Sequence, residues 1–277
     1  MKKHTLILTL LIAVNVYGQS AGHMIPNGYP SLNNFSTSQT DVYATKNYPA
    51  ALAQLPNNSV ALYAERKFML AEMNVYTFTT GVKTQKGTFG LHGNYFGAAM
   101  FRQMNISLGY GLTVSEKIDV GAQFNYHSIN QANGYGKTTS INASVGATFH
   151  LTDKMHLGLN VYNPTGSKWS KTDGEKLPAQ YSLGVGYDVS TDVCFTAEIM
   201  KEENLPAGVK AGLHYRFAKQ FFARAGVVTA SSNWFAGVGF NVVKYRIDLA
   251  CSYHPQLGIT PGLLLLFEVG KKNKPTE

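Results

Sequence analysis

Apolar and polar residues alternate with a period of two over most of the chain, from about residue 60 to its end. The alternation is clearest in 209–217 and 245–253, where one row is aliphatic or aromatic and the other is small, polar or charged. Such a period predicts β-strands with one apolar and one polar face. About fourteen strands are predicted in this way, near 60–66, 71–80, 88–96, 104–114, 118–126, 141–149, 155–161, 181–187, 193–199, 209–217, 221–227, 234–242, 245–253 and 260–269.

The connections between these strands alternate in length. The short ones are 115–117, 150–154, 190–192, 218–220 and 243–244. The longer ones are about 128–139, 163–179, 201–207, 228–232 and 254–259. Outer-membrane barrels have short periplasmic turns, longer outer loops and an even number of strands. We therefore expect a closed antiparallel barrel with both termini on the periplasmic side.

The composition of the two faces decides which one points outward. A water-soluble barrel would turn its apolar rows inward and cover its outside with Lys and Glu. Here the polar rows are rich in Gly, Ser, Asn and Thr instead. Aromatic residues stand at both ends of the apolar rows, such as Tyr187, Phe217 and Tyr245 near short turns, and Trp234 and Tyr253 near long loops. Two aromatic girdles are typical of the two membrane interfaces, so we predict an all-β transmembrane antiparallel barrel.

The N-terminus has the pattern of a signal peptide. A basic start and an apolar stretch too short to span a bilayer predict a signal peptide over 1–18, with cleavage near Gly18. We then expect a periplasmic or luminal segment over 19–56, the barrel over 57–270 and a periplasmic tail over 271–277. The predicted location is the outer membrane.

Charge adds information about partners. The formal charge is +8, and a basic surface is attracted to anionic lipid head groups or is simply solvated. Export argues against nucleic acid as a partner. The segment 19–56 lacks the alternation; only 50–55 predicts a short helix, with Pro49 placed to start it. Such a segment either plugs the barrel or leads into it without order.

Motifs of catalysis are missing from the sequence, which contains no Gly-x-Ser-x-Gly, His-Glu-x-x-His or Cys-x-x-Cys. We therefore expect neither an enzyme nor a cofactor. Cys194 and Cys251 fall on opposite faces, which predicts two free thiols. The histidines of the polar rows lie on separate strands at different depths, which predicts isolated lumen side chains and no metal site; they are His92, His127, His150, His156, His214 and His254.

Charged residues on the polar rows are the candidate site residues of the lumen. They are Lys210, Arg216, Arg224, Arg246, Asp248 and Glu198, and Asp188 falls on the same rows. They could pair with one another and fill the barrel. Alternatively, an arginine-rich lumen could hold the N-terminal segment or guide an acidic group.

Several short motifs, in order, resemble the FadL family of outer-membrane barrels. Residues 41–44 and 47–53 resemble the Asn-Pro-Ala element ahead of the first strand of FadL-like barrels. More specifically, 93–97, 206–212 and 253–261 look like the PorV/PorQ branch. The resemblance covers about residues 40 to 269. It implies a fourteen-stranded barrel with an N-terminal segment in the lumen, where Asn47, Pro49, Ala50 and Leu52 would lie.

The resemblance also implies a function. PorV/PorQ relatives are accessory barrels of type IX secretion, so we expect a subunit that binds an exported protein or a larger envelope complex. The alternative is a FadL-like transporter for hydrophobic small molecules. Outer-membrane lipid is an expected partner in either case.

Overall fold

The computed structural model describes residues 29, 32, 34–132, 136–169 and 176–269. The predicted signal peptide, its cleavage site and the tail over 271–277 lie outside the described residues and stay predictions. The strands are β1 (Asn58–Arg66), β2 (Asn74–Lys83), β3 (Thr88–Gly97), β4 (Phe101–Ser115), β5 (Ile118–Gln131), β6 (Gly136–His150), β7 (Met155–Tyr162), β8 (Gln180–Asp188), β9 (Val193–Glu202), β10 (Gly208–Arg216), β11 (Phe221–Val228), β12 (Asn233–Val242), β13 (Tyr245–His254) and β14 (Gly258–Val269).

These fourteen strands form one closed antiparallel barrel, which confirms the predicted fold class. Every strand pairs with its neighbours in sequence, and β1 closes the barrel against β14, with Asn58 opposite Val269. Closure leaves no strand edge unpaired, as a strand surrounded by lipid requires. The barrel has a turn end, where the short connections after the even-numbered strands lie, and a loop end, where the connections after the odd-numbered strands lie.

Two predicted boundaries were wrong. The connection expected over 128–139 is much shorter, because β5 continues to Gln131 and pairs there with Gly136 of β6. The ladder of hydrogen bonds extends past the apolar rows, where side chains no longer need to be apolar. The second strand begins at Asn74 instead of near residue 71, since two short 3₁₀ turns, Lys67–Met69 and Ala71–Met73, precede it.

The outer surface of the barrel is apolar and its interior is polar. Leu108, Trp234 and Leu249 of the outward rows are 55%, 65% and 61% exposed, whereas Asn125 and Asp248 of the inward rows are buried. This is the reverse of a water-soluble protein and matches a barrel surrounded by lipid. None of the helices in the described part of the chain is long and apolar enough to cross a membrane.

A segment ahead of β1 fills the lumen, and we call residues 34–56 the plug. It contains two 3₁₀ helices, Ala44–Lys46 and Pro49–Gln54. The second begins at a proline as predicted, and Pro49 to Leu52 are buried. Glycines of the wall allow the close approach. A Cβ atom on Gly111 would lie 2.6 Å from Leu52 Cβ, and one on Gly121 would collide with the Pro49 carbonyl group.

Part of the barrel interior is apolar. The alternation of apolar and polar residues along the strands does not predict this. Leu264 and Leu266 of β14 point inward and pack against Val42 and Leu55 of the plug. Residues 263–266 are all leucine, so both faces of the strand are apolar there, one toward lipid and one toward the plug. The plug therefore has a small apolar core of its own with the wall.

The two cysteines confirm the prediction of free thiols on opposite faces. Cys194 points inward and is 1% exposed, whereas Cys251 lies on the exposed outer face.

Candidate functional site

A buried cluster of four charges joins the plug to the barrel wall. Asp41 of the plug accepts a hydrogen bond from Arg246 Nη1 at 2.8 Å and lies 3.4 Å from Arg224 Nη2. Asp248, beside Arg246 on β13, binds that guanidinium through both carboxylate oxygens at 2.8 Å. Two arginines thus face two carboxylates, and we call Asp41, Arg224, Arg246 and Asp248 the arginine cluster.

The surroundings of the arginine cluster fix its geometry. The ring of Phe222 lies against both guanidinium groups, 5.0 Å from Arg224 Cζ and 5.3 Å from Arg246 Cζ. Arg224 Nε donates to His214 Nδ1 at 3.1 Å, so that nitrogen of His214 carries no proton. Arg224 is only 1% exposed, and buried charges of this kind persist only when they are paired. The plug supplies one of the two negative charges that the arginines require.

Asp188, at the end of β8, is a second anchor for the plug. Its carboxylate accepts hydrogen bonds from Ser36 Oγ at 2.7 Å and from the backbone N–H groups of Thr37 and Ser38 at 3.2 and 3.3 Å. Hydrogen bonds to a carboxylate are stronger than those between neutral groups. Cys194 lies next to this anchor, because it is the cross-strand partner of Asp188.

A third anchor corrects the expectation that the lumen histidines are isolated. Asp119 accepts hydrogen bonds from Gln54 Nε2 of the plug at 2.6 Å and from His150 Nε2 at 2.7 Å. His150 Nδ1 in turn lies 2.9 Å from His156 Nδ1. The short turn between β6 and β7 brings the two histidines opposite each other in register. Among the described residues, no three His, Cys, Asp or Glu side chains could together hold a metal ion.

The middle of the plug is held by burial as much as by polar contacts. Tyr48 packs its ring against Phe35, with centroids 4.9 Å apart, and donates its hydroxyl to Ala147 O at 2.6 Å. Lys46 lies near the ring of Tyr43. Burial lowers the pKa of Lys46 from its usual 10.5 to about 8. This lysine is the one basic residue that the plug brings into the lumen.

The structure separates the predicted lumen charges into three groups. Arg224, Arg246 and Asp248 belong to the arginine cluster, whereas Lys210 pairs with Glu198 at 2.5 Å on the wall toward the loop end. Arg216 instead pairs with Asp192, which is half exposed, at the turn end. Of the predicted luminal residues, Pro49, Ala50 and Leu52 are buried against the wall and Asn47 faces a cavity.

The roles of Asp41 and Asp119 were not predicted from the sequence. Asp41 carried a signal that could have found it, because it is the only acidic residue between 19 and 56. A single acid in a segment expected to enter an arginine-rich lumen is a natural partner for those arginines. Asp119 had no such signal, since its partner on the plug is the neutral Gln54.

The plug lies between two cavities. The loop-end cavity, of about 340 Å³, reaches from Asn34, Lys46 and Asn47 of the plug up to exposed residues of the β9–β10 and β11–β12 connections. The turn-end cavity, of about 420 Å³, lies below Asp41 and is lined by basic residues of the wall and turns. Those basic residues are Arg216, Lys219, Lys244 and Arg246.

No protein-family model matches the chain, and neither does any curated protein sequence. Solved structures do share its fold. A FadL homologue of Pseudomonas aeruginosa is 13% identical, with a TM-score of 0.62, over 90% of this chain and 100% of that one. The toluene transporter TodX of P. putida is 12% identical, with a TM-score of 0.61, over 88% and 99% of the two chains. The toluene transporter TbuX of Ralstonia pickettii is 12% identical, with a TM-score of 0.61, over 83% of this chain and 94% of that one. The chain therefore has the fold of FadL-like barrels.

Proposed function

We propose that this protein is a plug-gated channel of the FadL type in the outer membrane, which admits hydrophobic small molecules to the periplasm. The observation that carries the proposal is the position of the plug, which lies across the lumen between the loop-end and turn-end cavities. A molecule in one cavity reaches the other only if the plug moves. The apolar outer surface supports the membrane location.

The fold neighbours support a small molecule as the cargo. Two of them are described as toluene transporters, and a third is described as a FadL homologue. The loop-end cavity is compatible with an apolar solute, because Met200, Leu205 and Val228 line part of it. The accessory secretion role implied by the PorV/PorQ resemblance stays a prediction, and the fold neighbours favour the transporter alternative.

The way the plug is held supports movement. Its three anchors are hydrogen bonds and ion pairs to Asp188, Asp119 and the arginine cluster. Contacts of this kind break and re-form without covalent change. Each is made by side chains of a rigid barrel wall, so the plug can leave and return to the same place while the barrel stays closed.

A reversible covalent lock tests the proposal. An ideal Cβ on Gly146 of β6 lies 3.6 Å from Ala50 Cβ of the plug, which is within the range of a disulfide. We expect the double variant Ala50→Cys/Gly146→Cys, with Cys194 and Cys251 changed to Ser, to block transport when oxidised. Reduction should restore it. Transport is measured as uptake of radiolabelled toluene by cells of a Gram-negative laboratory host that lacks a channel of this kind.

The two single-cysteine variants in the same background are the matched controls. Each carries one of the two substitutions and cannot form the intramolecular bridge, so oxidation should leave its uptake unchanged. Equal uptake by the oxidised and reduced double variant would show that the plug does not gate a passage, and the proposed function would be wrong.

A further inference from the structure

The loop-end cavity has two sides that differ in chemistry. Strands β9 and β11 and the connection after β9 contribute apolar side chains, Met200, Val228 and Leu205. The wall formed by strands β3 to β8 contributes amide and hydroxyl side chains. They are Asn94, Gln103, Asn105, Ser107, Gln123, Asn125, Ser144, Asn160, Gln180 and Ser182. A ligand in the cavity would touch both kinds of surface.

A pure hydrocarbon fits the amide-lined side badly. It would displace solvent from amide and hydroxyl groups and return no hydrogen bond, which penalises burial of those groups. A ligand with its own hydrogen-bonding group avoids this penalty, and sites built in this way discriminate strongly against analogues that lack that group.

Gln123 indicates that acceptors are available in this wall. Its Nε2 donates to Lys46 O at 3.2 Å and to Asn125 Oδ1 at 2.7 Å, which identifies Oε1 as the acceptor end of the amide. Its Oε1 is buried without a hydrogen-bond partner among the described residues, and so are the side-chain oxygens of Asn34 and Asn160. All three residues line the cavity. A small rotation of such a side chain would bring its oxygen to a donor on a ligand.

The charges of the cavity favour an uncharged ligand. Lys210 and Glu198 neutralise each other at 2.5 Å. The other two charged residues in the lining, Lys46 and Glu202, have opposite signs. An ion would gain no net attraction and would lose its hydration.

We infer that the loop-end cavity selects small uncharged amphipathic molecules, with an apolar ring or chain toward Met200, Leu205 and Val228 and an O–H or N–H donor toward the amide-lined wall of β3 to β8. Phenols, anilines and small alcohols belong to this class. The inference rests on the proposed function and narrows its substrate from hydrocarbons to their hydroxylated or aminated relatives.

The test compares p-cresol with anisole, two isomers of which only the first carries an O–H donor. Trp169 provides the signal, because its ring lies 6.0 Å from that of His127 in the cavity lining, and Trp234→Phe removes the lipid-facing tryptophan. Fluorescence titration of the full chain in detergent, corrected with detergent alone, gives both Kd values. We expect p-cresol to bind at least about tenfold more tightly than anisole, the worth of one buried hydrogen bond.

A variant and a matched control locate the effect. Asn160→Leu keeps the branched shape of the side chain and removes its amide, so the preference for p-cresol should fall about threefold or more. Val228→Ala on the apolar side should weaken the binding of both isomers alike and leave the ratio of their Kd values unchanged.

Each remaining outcome overturns the inference. Equal affinities, or tighter binding of anisole, would mean that donors are not selected, and no fluorescence change with either isomer would mean that the cavity is not the binding site. The disulfide lock decides the proposed function separately. Toluene uptake that depends on the lock, together with no preference for p-cresol, would leave the channel in place with a hydrocarbon as its substrate.

Discussion

Replacement of Asp41 by asparagine should release the plug. In the wild type, Asp41 Oδ1 accepts a hydrogen bond from the backbone N–H of Tyr43 at 2.9 Å. The asparagine side chain would keep an oxygen that can accept the same bond. The change therefore removes charge and little else. Arg224 and Arg246 would then face Asp248 alone, and the arginine cluster would carry an uncompensated positive charge in a buried place.

The magnitude follows from the burial of the arginine cluster. Removal of one partner from a buried ion pair costs about 3–5 kcal/mol. We take about 3 kcal/mol, because Asp248 still binds Arg246 through two hydrogen bonds. Since about 1.4 kcal/mol is a factor of ten, the population of undocked plug should rise about 100-fold.

Cys194 is a native reporter of undocking. It is 1% exposed, and the plug residue Ser36 covers it through the Asp188 anchor. In a Cys251→Ser background, a water-soluble thiol reagent reaches Cys194 only when the plug leaves. At a fixed pH the labelling rate follows the population of the undocked state, so Asp41→Asn should accelerate labelling about 100-fold.

Arg216→Gln is the control, because it breaks the half-exposed ion pair with Asp192 at the turn end. A pair so exposed contributes less than about 1 kcal/mol, so labelling should change at most about fivefold. If Asp41→Asn labels no faster than this control, the arginine cluster does not hold the plug and the reasoning is wrong.

Two further predictions concern the fit and the charge of the plug. Gly186→Val should strongly accelerate thiol labelling of Cys194, because a Cβ at this position would collide with Phe35 O of the plug. The control is Gly93→Val, whose Cβ would meet open space, so its Cys194 should be labelled at the wild-type rate. Lys46→Met should stabilise the barrel at pH 7 by up to about 3 kcal/mol, because burial lowers the pKa of Lys46 from 10.5 to about 8. The pKa of Lys46 is about 8 in the folded protein and 10.5 in the unfolded chain. Between pH 8 and 10.5 the unfolded chain therefore binds more protons than the folded protein, so the stability of the wild type rises with pH in this interval. Urea unfolding of wild type and variant from about pH 7 to 10 checks this; a parallel rise in the variant would contradict it.

The fold of the barrel was largely predictable, because the pattern that specifies each strand lies within the sequence of that strand. A strand surrounded by lipid must present an apolar residue at every second position, so the sequence alone reveals strand number, facing and most turns. The rows around Leu108 and Leu249 illustrate this. The prediction failed where that requirement ends, as at Gln131 and Gly136, since outside the lipid the ladder continues with polar side chains.

Inward-facing positions were harder to interpret, because the interior can be polar or apolar. Leu264 and Leu266 point inward in a run of leucines, and only the packing of Val42 and Leu55 against them explains why. Similarly, the short turn between β6 and β7 was predicted, yet the contact of His150 with His156 depends on register across it.

The sequence by itself determined a barrel with an apolar outside, a polar inside and a set of charges in its lumen. Only the tertiary structure decided that the segment ahead of β1 lies among those charges, that Asp41 completes the arginine cluster and that cavities remain on both sides. The physical reason is that Asp41 lies 183 residues before Arg224 and 205 before Arg246, so no local pattern connects them. Entry of the plug into the closed barrel brings them together.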